Sequence, residues 1–151
     1  MYSTEIKAYS QLSSKVLSEL TRLTHMIPEL DRPQTELDLQ QRLANKPCLV
    51  LLAYVEDELA GFKLGYAESD TVFYSWLGGV APDFRNLGLA KSMLEYQEKW
   101  AAEQGYQTMT VKTRNHFKAM LTMLVRSQYQ ITEIAPAADI AHNKLHLQKQ
   151  L

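Results

Sequence analysis

The sequence predicts an α/β (α+β) fold, a mixed and mostly antiparallel central sheet of about seven strands flanked by about four helices. Three observations predict it. Apolar residues keep helical spacing in four segments, strand-like runs parted by short polar turns fill the middle of the chain, and strand and helix then alternate toward the C-terminus.

The first element is a short strand around Thr4 to Ala8. Leu12, Val16, Leu17, Leu20, Leu23 and Ile27 then mark one face of a helix, with Ser10 as its predicted cap. Thr35 and Asp38 form a capping-box pattern that starts a second helix, and Asn45-Lys46-Pro47 stops it after Ala44. The character then changes. Leu49 to Val55, Leu59 to Ala67 and Thr71 to Val80 are strand-like, and the turns Glu56-Asp57-Glu58 and Glu68-Ser69-Asp70 between them predict an antiparallel meander.

A third helix is expected from about Leu87 to Gln104, with Ala90, Met93, Leu94, Trp100 and Ala101 inward and Gly105 as C-cap. Thr108 to Thr113 reads as a strand, and Asn115 to Ser127 as a helix with Phe117, Met120, Leu121 and Leu124 on its apolar side. Tyr129 to Ile134 is another strand, and alternating Leu145 and Leu147 make His142 to Lys149 the closing one.

At 151 residues, without a glycine-, proline- or serine-rich linker, the chain reads as a single domain, residues 1–151. Sixteen Lys and Arg oppose seventeen Asp and Glu, so no field of one sign draws in nucleic acid or an anionic membrane. The start, Met1-Tyr2-Ser3-Thr4-Glu5, lacks the basic and apolar regions of a signal peptide, which makes the cytoplasm the expected location. The single cysteine, Cys48, lies in an apolar run and reads as a packing thiol. His25, His116, His142 and His146 show no metal-ligand spacing, so no metal is expected.

The segment that carries chemistry is Gly79-Val80-Ala81-Pro82-Asp83-Phe84-Arg85-Asn86-Leu87-Gly88-Leu89-Ala90, where a strand turns into the start of a helix. The first amides of a helix lack internal partners and the helix dipole is positive there, so a diphosphate is the natural guest. Gly88 and the small Ala90 let backbone approach it closely, and Arg85 adds charge at the mouth. An ordinary strand-to-helix turn would use the same residues, and a short R-x-x-G-x-A string alone favours that reading.

The context changes the balance. The string follows a strand end and opens a long amphipathic helix, with a strand and a further helix beyond. This arrangement resembles the GNAT N-acetyltransferases, whose signature is Q/R-x-x-G-x-G/A at the same junction; the resemblance runs from about Leu49 to the C-terminus. It implies a sheet splayed near a cofactor cleft and an acetyl-CoA co-substrate. It further implies that Arg85, Asn86, Leu87, Gly88, Leu89 and Ala90 hold the coenzyme A pyrophosphate. Gly79 and Val80 would bond the pantetheine arm, and Asn115 would contact the cofactor as well as capping its helix. The implied activity is direct acetyl transfer to a primary amine of a small molecule or peptide. The expected partner is that acceptor, without nucleic acid or membrane; the oligomeric state cannot be read from the sequence, which leaves a homodimer open. The first two helices and the turn between them, Pro28 to Gln34 with Glu29, Asp31 and Arg32, would wall the acceptor side.

The resemblance supplies neither acid nor base. Some relatives place a glutamate base eleven residues before the signature, where this chain has Tyr74, a poor base at its ordinary pKa but able to orient a water or the acceptor. Tyr74 is the candidate catalytic residue, with packing of one sheet face as its other reading; Glu68, Asp83 and His116 are the remaining candidates. The family's tyrosine acid falls on Leu124 if Tyr129 is the aromatic that opens the next strand, and leucine donates no proton. Two other classes stay open: a non-catalytic acyl-CoA-binding regulatory module, and an unrelated nucleotide-binding domain sharing only the turn.

Overall fold

The computed structural model describes residues 2–30 and 32–151. In chain order these form β1 (Thr4–Tyr9), α1 (Ser14–Met26), α2 (Glu36–Leu43), β2 (Cys48–Val55), β3 (Glu58–Ala67), β4 (Val72–Val80), α3 (Leu89–Glu103), β5 (Thr108–Arg114), α4 (Lys118–Arg126), β6 (Gln130–Ala135) and β7 (Lys144–Gln150). Short 3-10 turns stand at Pro82–Phe84 and Ile140–His142. The strands lie in the order β1-β2-β3-β4-β5-β7-β6. Antiparallel ladders join β1 to β2, β2 to β3, β5 to β7 and β6 to β7. β4 and β5 run parallel, with Val72–Ser75 against Thr108–Val111, and α3 is the crossover that a parallel pair requires. The mixed, mostly antiparallel sheet and four helices agree with the expectation from sequence.

The chain divides into two compact units, Met1–Tyr66 with Leu77–Gln97 and Ala67–Trp76 with Glu98–Leu151. In the first, Val16, Leu17, Leu20 and Leu23 of α1 and Leu39 and Leu43 of α2 are buried, together with Leu49 to Ala53 of β2. Only Tyr54 in β2 is less than fully buried, which is why the strand reads as an unbroken apolar run. Cys48 is buried with Sγ 3.6 Å from the Ser10 carbonyl, and burial pushes its thiol pKa up, as befits a packing residue.

In the second unit Phe73 packs against Trp100 and Tyr106, with ring centroids 5.3 and 5.1 Å away. The buried Tyr129 hydroxyl donates to Glu98 Oε2 at 2.8 Å, and Lys149 Nζ lies 3.2 Å from both oxygens of that carboxylate. Burial and then Glu98 hold the Tyr129 phenol far above its ordinary pKa.

Helix ends decide where the expected boundaries move. Thr35 and Asp38 make a full capping box at α2. Gly105, at φ +95°, closes α3 with Gly105 N donating to Ala102 O and Tyr106 N to Ala101 O, the paired bonds of a Schellman motif. α1 is capped by Ser13, whose side chain accepts from Val16 N, and not by Ser10, which lies in the bend after β1. α4 begins at Lys118 instead of Asn115. The amides of Asn115 and His116 donate to Asn143 O and Ala141 O, so those residues belong to a turn and Asn115 caps no helix.

Candidate functional site

In the first unit the end of β4 is shaped by close approaches of backbone. A Cβ on Gly61 would stand 2.8 Å from Gly79 O, and one on Gly79 would stand 2.9 Å from Ile27 Cδ1. Gly79 is therefore required by packing under the end of α1, apart from any role toward a ligand. Gly78 lies beside Lys63 of β3, a lysine only 6% exposed, with Nζ 3.6 Å from where a Gly78 Cβ would be. Sequence reading passed over Lys63, because a lysine in a strand is read as solvated.

Beyond Val80 the chain makes the Pro82–Phe84 turn and reaches α3 through Arg85-Asn86-Leu87-Gly88, all four exposed. Asn86 and Gly88 have left-handed φ of 65° and 79° on either side of Leu87, backbone of the kind found in anion-binding nests. The first bond inside α3 runs from Ser92 N to Gly88 O at 3.0 Å, which leaves the amides before Ser92 at the helix mouth. Gly88 has no side chain to cap them, and a Cβ built on it meets no atom within 4 Å. Gly88 thus stands just before α3 with no side chain to serve as a cap, whereas α1 and α2 are capped by the side chains of Ser13 and Thr35.

Arg85 differs from the charge at the mouth expected from sequence. Its Nε donates to Val80 O at 3.1 Å and its Nη2 to Glu29 Oε1 at 2.7 Å, so the guanidinium ties the loop to the strand end and to the segment after α1. The Arg85 hydrogen bond chiefly holds the Glu29 carboxyl below the ordinary carboxylate range. Sequence reading placed Glu29 on the acceptor wall without foreseeing this pair. Of that wall, Arg32 is exposed and Asp31 lies outside the described residues.

Asp83 lies in the Pro82–Phe84 turn of the first unit, and the other expected residues lie in the second. Tyr74 is buried in β4 opposite Thr110, and Lys112 Nζ stands 5.2 Å from its ring centroid. Glu68 Oε1 lies 3.5 Å from Thr110 Oγ1, which brings a carboxylate to the strand position that pairs with Tyr74. Asn115 Nδ2 donates to Ile140 O and His116 Nδ1 is 2.9 Å from Ala141 O, so both fasten the segment before β7. Leu124, the position to which the resemblance assigned the acid, is fully buried and packs in the core.

Comparison with known proteins fits this geometry. Residues 15–124 match the family model described as the acetyltransferase (GNAT) family. An acetyltransferase of Pectobacterium atrosepticum is 28% identical over 98 residues, 65% of this chain and 69% of its own length. One from Sodalis glossinidius is 26% identical over the same length, 65% of this chain and 68% of its own. Among solved structures, the ribosomal-protein-S18-alanine N-acetyltransferase of Escherichia coli superposes with TM-score 0.80 at 14% identity, over 98% of this chain and 94% of its own. A GNAT acetyltransferase of Elizabethkingia anophelis with acetyl-CoA bound gives 0.74 at 18% identity and 98% coverage of both chains. With the family matched over most of its length, and strand, turn and helix joined as that family requires, the chain belongs to the GNAT acetyltransferases.

Proposed function

We propose that this protein is an acetyl-CoA-dependent N-acetyltransferase, acting in the cytoplasm on a primary amine of a small molecule or peptide. The observation that carries the reading is the start of α3, where Gly88 keeps a left-handed turn with open space beside it. Such a site fits a diphosphate, since the first amides of a helix have no partner within the helix and no Cβ stands in the way.

In this reading the amides of Arg85, Asn86, Leu87, Gly88, Leu89 and Ala90 hold the pyrophosphate. Gly79 and Val80 offer strand backbone to the pantetheine arm, and Asn115 is a further cofactor contact. Acetyl-CoA supplies an activated thioester. The acceptor nitrogen forms the new N–C bond, the C–S bond breaks, the amine loses a proton and the thiolate gains one. The protein contributes position and a strand amide near Val80 directed at the developing oxyanion. Tyr74 orients the acceptor or a water that takes the amine proton. With Leu124 in the core, solvent protonates the thiolate, a good leaving group without assistance.

Calorimetry with coenzyme A and with adenosine tests the binding half; one site for coenzyme A and none for adenosine is expected. A panel of primary amines with acetyl-CoA, followed by thiol release, tests the chemical half. Binding without turnover would leave a non-catalytic acyl-CoA-binding module. Failure to bind any acyl-CoA at millimolar concentration would overturn the proposal.

A further inference from the structure

The edge strand of the second unit is apolar on one face, and a bulge makes it so. β6 ends the strand order β5-β7-β6, so one side of its backbone pairs with β7 and the other forms the edge. All six of its residues, Gln130–Ala135, are exposed, among them Ile131 at 49% and Ile134 at 54%. An edge of that kind is a template for another strand.

Residues three apart in a regular strand point to opposite faces. In β6 the register shifts between Ile131 and Glu133, so that Ile131 pairs with Leu147, Ile134 pairs with Leu145, and Thr132 is the extra residue. Leu145 and Leu147 are two residues apart on β7, share a face and are buried. Directly paired residues also share a face, so both isoleucines stand beside these leucines and carry their apolar strip out to the edge. Glu133 turns to the other face, where its Oε2 lies 3.6 Å from His146 Nδ1, and Thr132 Oγ1 donates to His146 O at 3.2 Å.

A bulge commonly guards an edge against stray pairing. Here it also selects the partner. A regular strand laid along β6 keeps its faces in phase on one side of the bulge only, because the extra residue reverses the alternation. A second copy of β6 carries the same reversal at the same place. Paired antiparallel about a two-fold axis, with Thr132 opposite Glu133 of the second copy, the two strands match along their whole length, Gln130 facing Ala135 and Ile131 facing Ile134. Glu133, the single charged residue of β6, then meets a threonine and not its own like. We propose that the protein forms a two-fold homodimer edge to edge through β6, with Ile131 of each protomer packed against Ile134 of the other.

Sedimentation equilibrium of the full chain should show a monomer–dimer equilibrium. A six-residue edge is a small interface, so Kd is expected in roughly the micromolar range. I131K/I134K sets ammonium groups along the apolar strip and should weaken the dimer at least about tenfold. Both positions are half-exposed, so its thermal melt should stay close to that of the wild type. I134T keeps the β-branched shape and serves as the milder variant, weakening the dimer in the same direction.

The register has its own test. Opposed residues of an antiparallel pair stand within disulfide reach, whereas Ile131 and its own copy would be three residues out of register, about 10 Å apart. A mixture of I131C and I134C chains should therefore cross-link on mild oxidation, and neither variant alone should do so; Cys48, buried with a raised thiol pKa, stays out of the reaction. A wild type that is monomeric at about 0.1 mM, a hundredfold above a micromolar Kd, overturns the proposal. So does a dimer that survives I131K/I134K unchanged, or cross-linking of I131C with itself as fast as in the mixture.

Discussion

Gly88 offers the sharpest separation of fold from ligand. Its φ of 79° lies where an L-residue is strained, yet a Cβ there would meet nothing within 4 Å. In the protein alone, Gly88→Ala therefore costs only conformational strain, about 1–2 kcal/mol. For a chain of 151 residues that lowers Tm by roughly 2–8 °C. The effect on coenzyme A has another source, a methyl group placed among amides that would hold phosphate oxygens. Each charge-assisted bond lost there is worth about 1.5–3 kcal/mol, or roughly tenfold to a hundredfold in Kd. Gly88→Asn is the control, because asparagine tolerates the left-handed region but still fills the space. The expected pattern is a lower Tm for alanine, less lowering for asparagine, and weak coenzyme A binding for both, measured by thermal melts and calorimetry. An alanine variant that melts early and binds coenzyme A like the wild type would refute the reasoning and move the phosphates elsewhere.

Gly79→Ala should destabilise by about 1–3 kcal/mol through overpacking on Ile27, and Ile27→Val should recover part of it, whereas Gly61→Ala meets the Gly79 carbonyl and no side-chain trimming relieves it; denaturant melts of the single and double variants decide. The Glu29 carboxyl is held below its unfolded value by Arg85, so the pair stabilises the protein above that unfolded value and the contribution is lost as pH falls through the folded one. With side chains 44% and 38% exposed, a double-mutant cycle on Glu29 and Arg85 should give no more than about 1 kcal/mol at neutral pH and nothing once the carboxyl is protonated. Tyr74→Phe should lower kcat by about 10²-fold or more with cofactor affinity kept, if the phenol orients the proton acceptor; an unchanged kcat and pH profile would return Tyr74 to the core and turn attention to Glu68.

The order of elements was legible because its signals are local. The capping box at Thr35, the glycine after α3 and the polar turns around the meander each act within a few residues, and each stands where it was read. The R-x-x-G-x-A string likewise marked the strand-to-helix junction. What escaped depends on partners far away in sequence. Arg85 was expected to face a ligand, but Glu29, 56 residues earlier, holds its guanidinium. Asn115 looked like a cap because asparagine caps well, yet its amide is drawn to Asn143 and its side chain to Ile140.

The buried thiol of Cys48 has a practical side. A colorimetric thiol reagent added to follow coenzyme A release reacts with thiolate, and a sulfhydryl with restricted access and a raised pKa stays silent while the chain is folded. The protein therefore contributes little background to its own assay. The same silence ends on opening, so the labelling rate of Cys48 in the absence of substrate becomes a clock for the opening of β2, which begins there, readable in the cuvette that measures turnover.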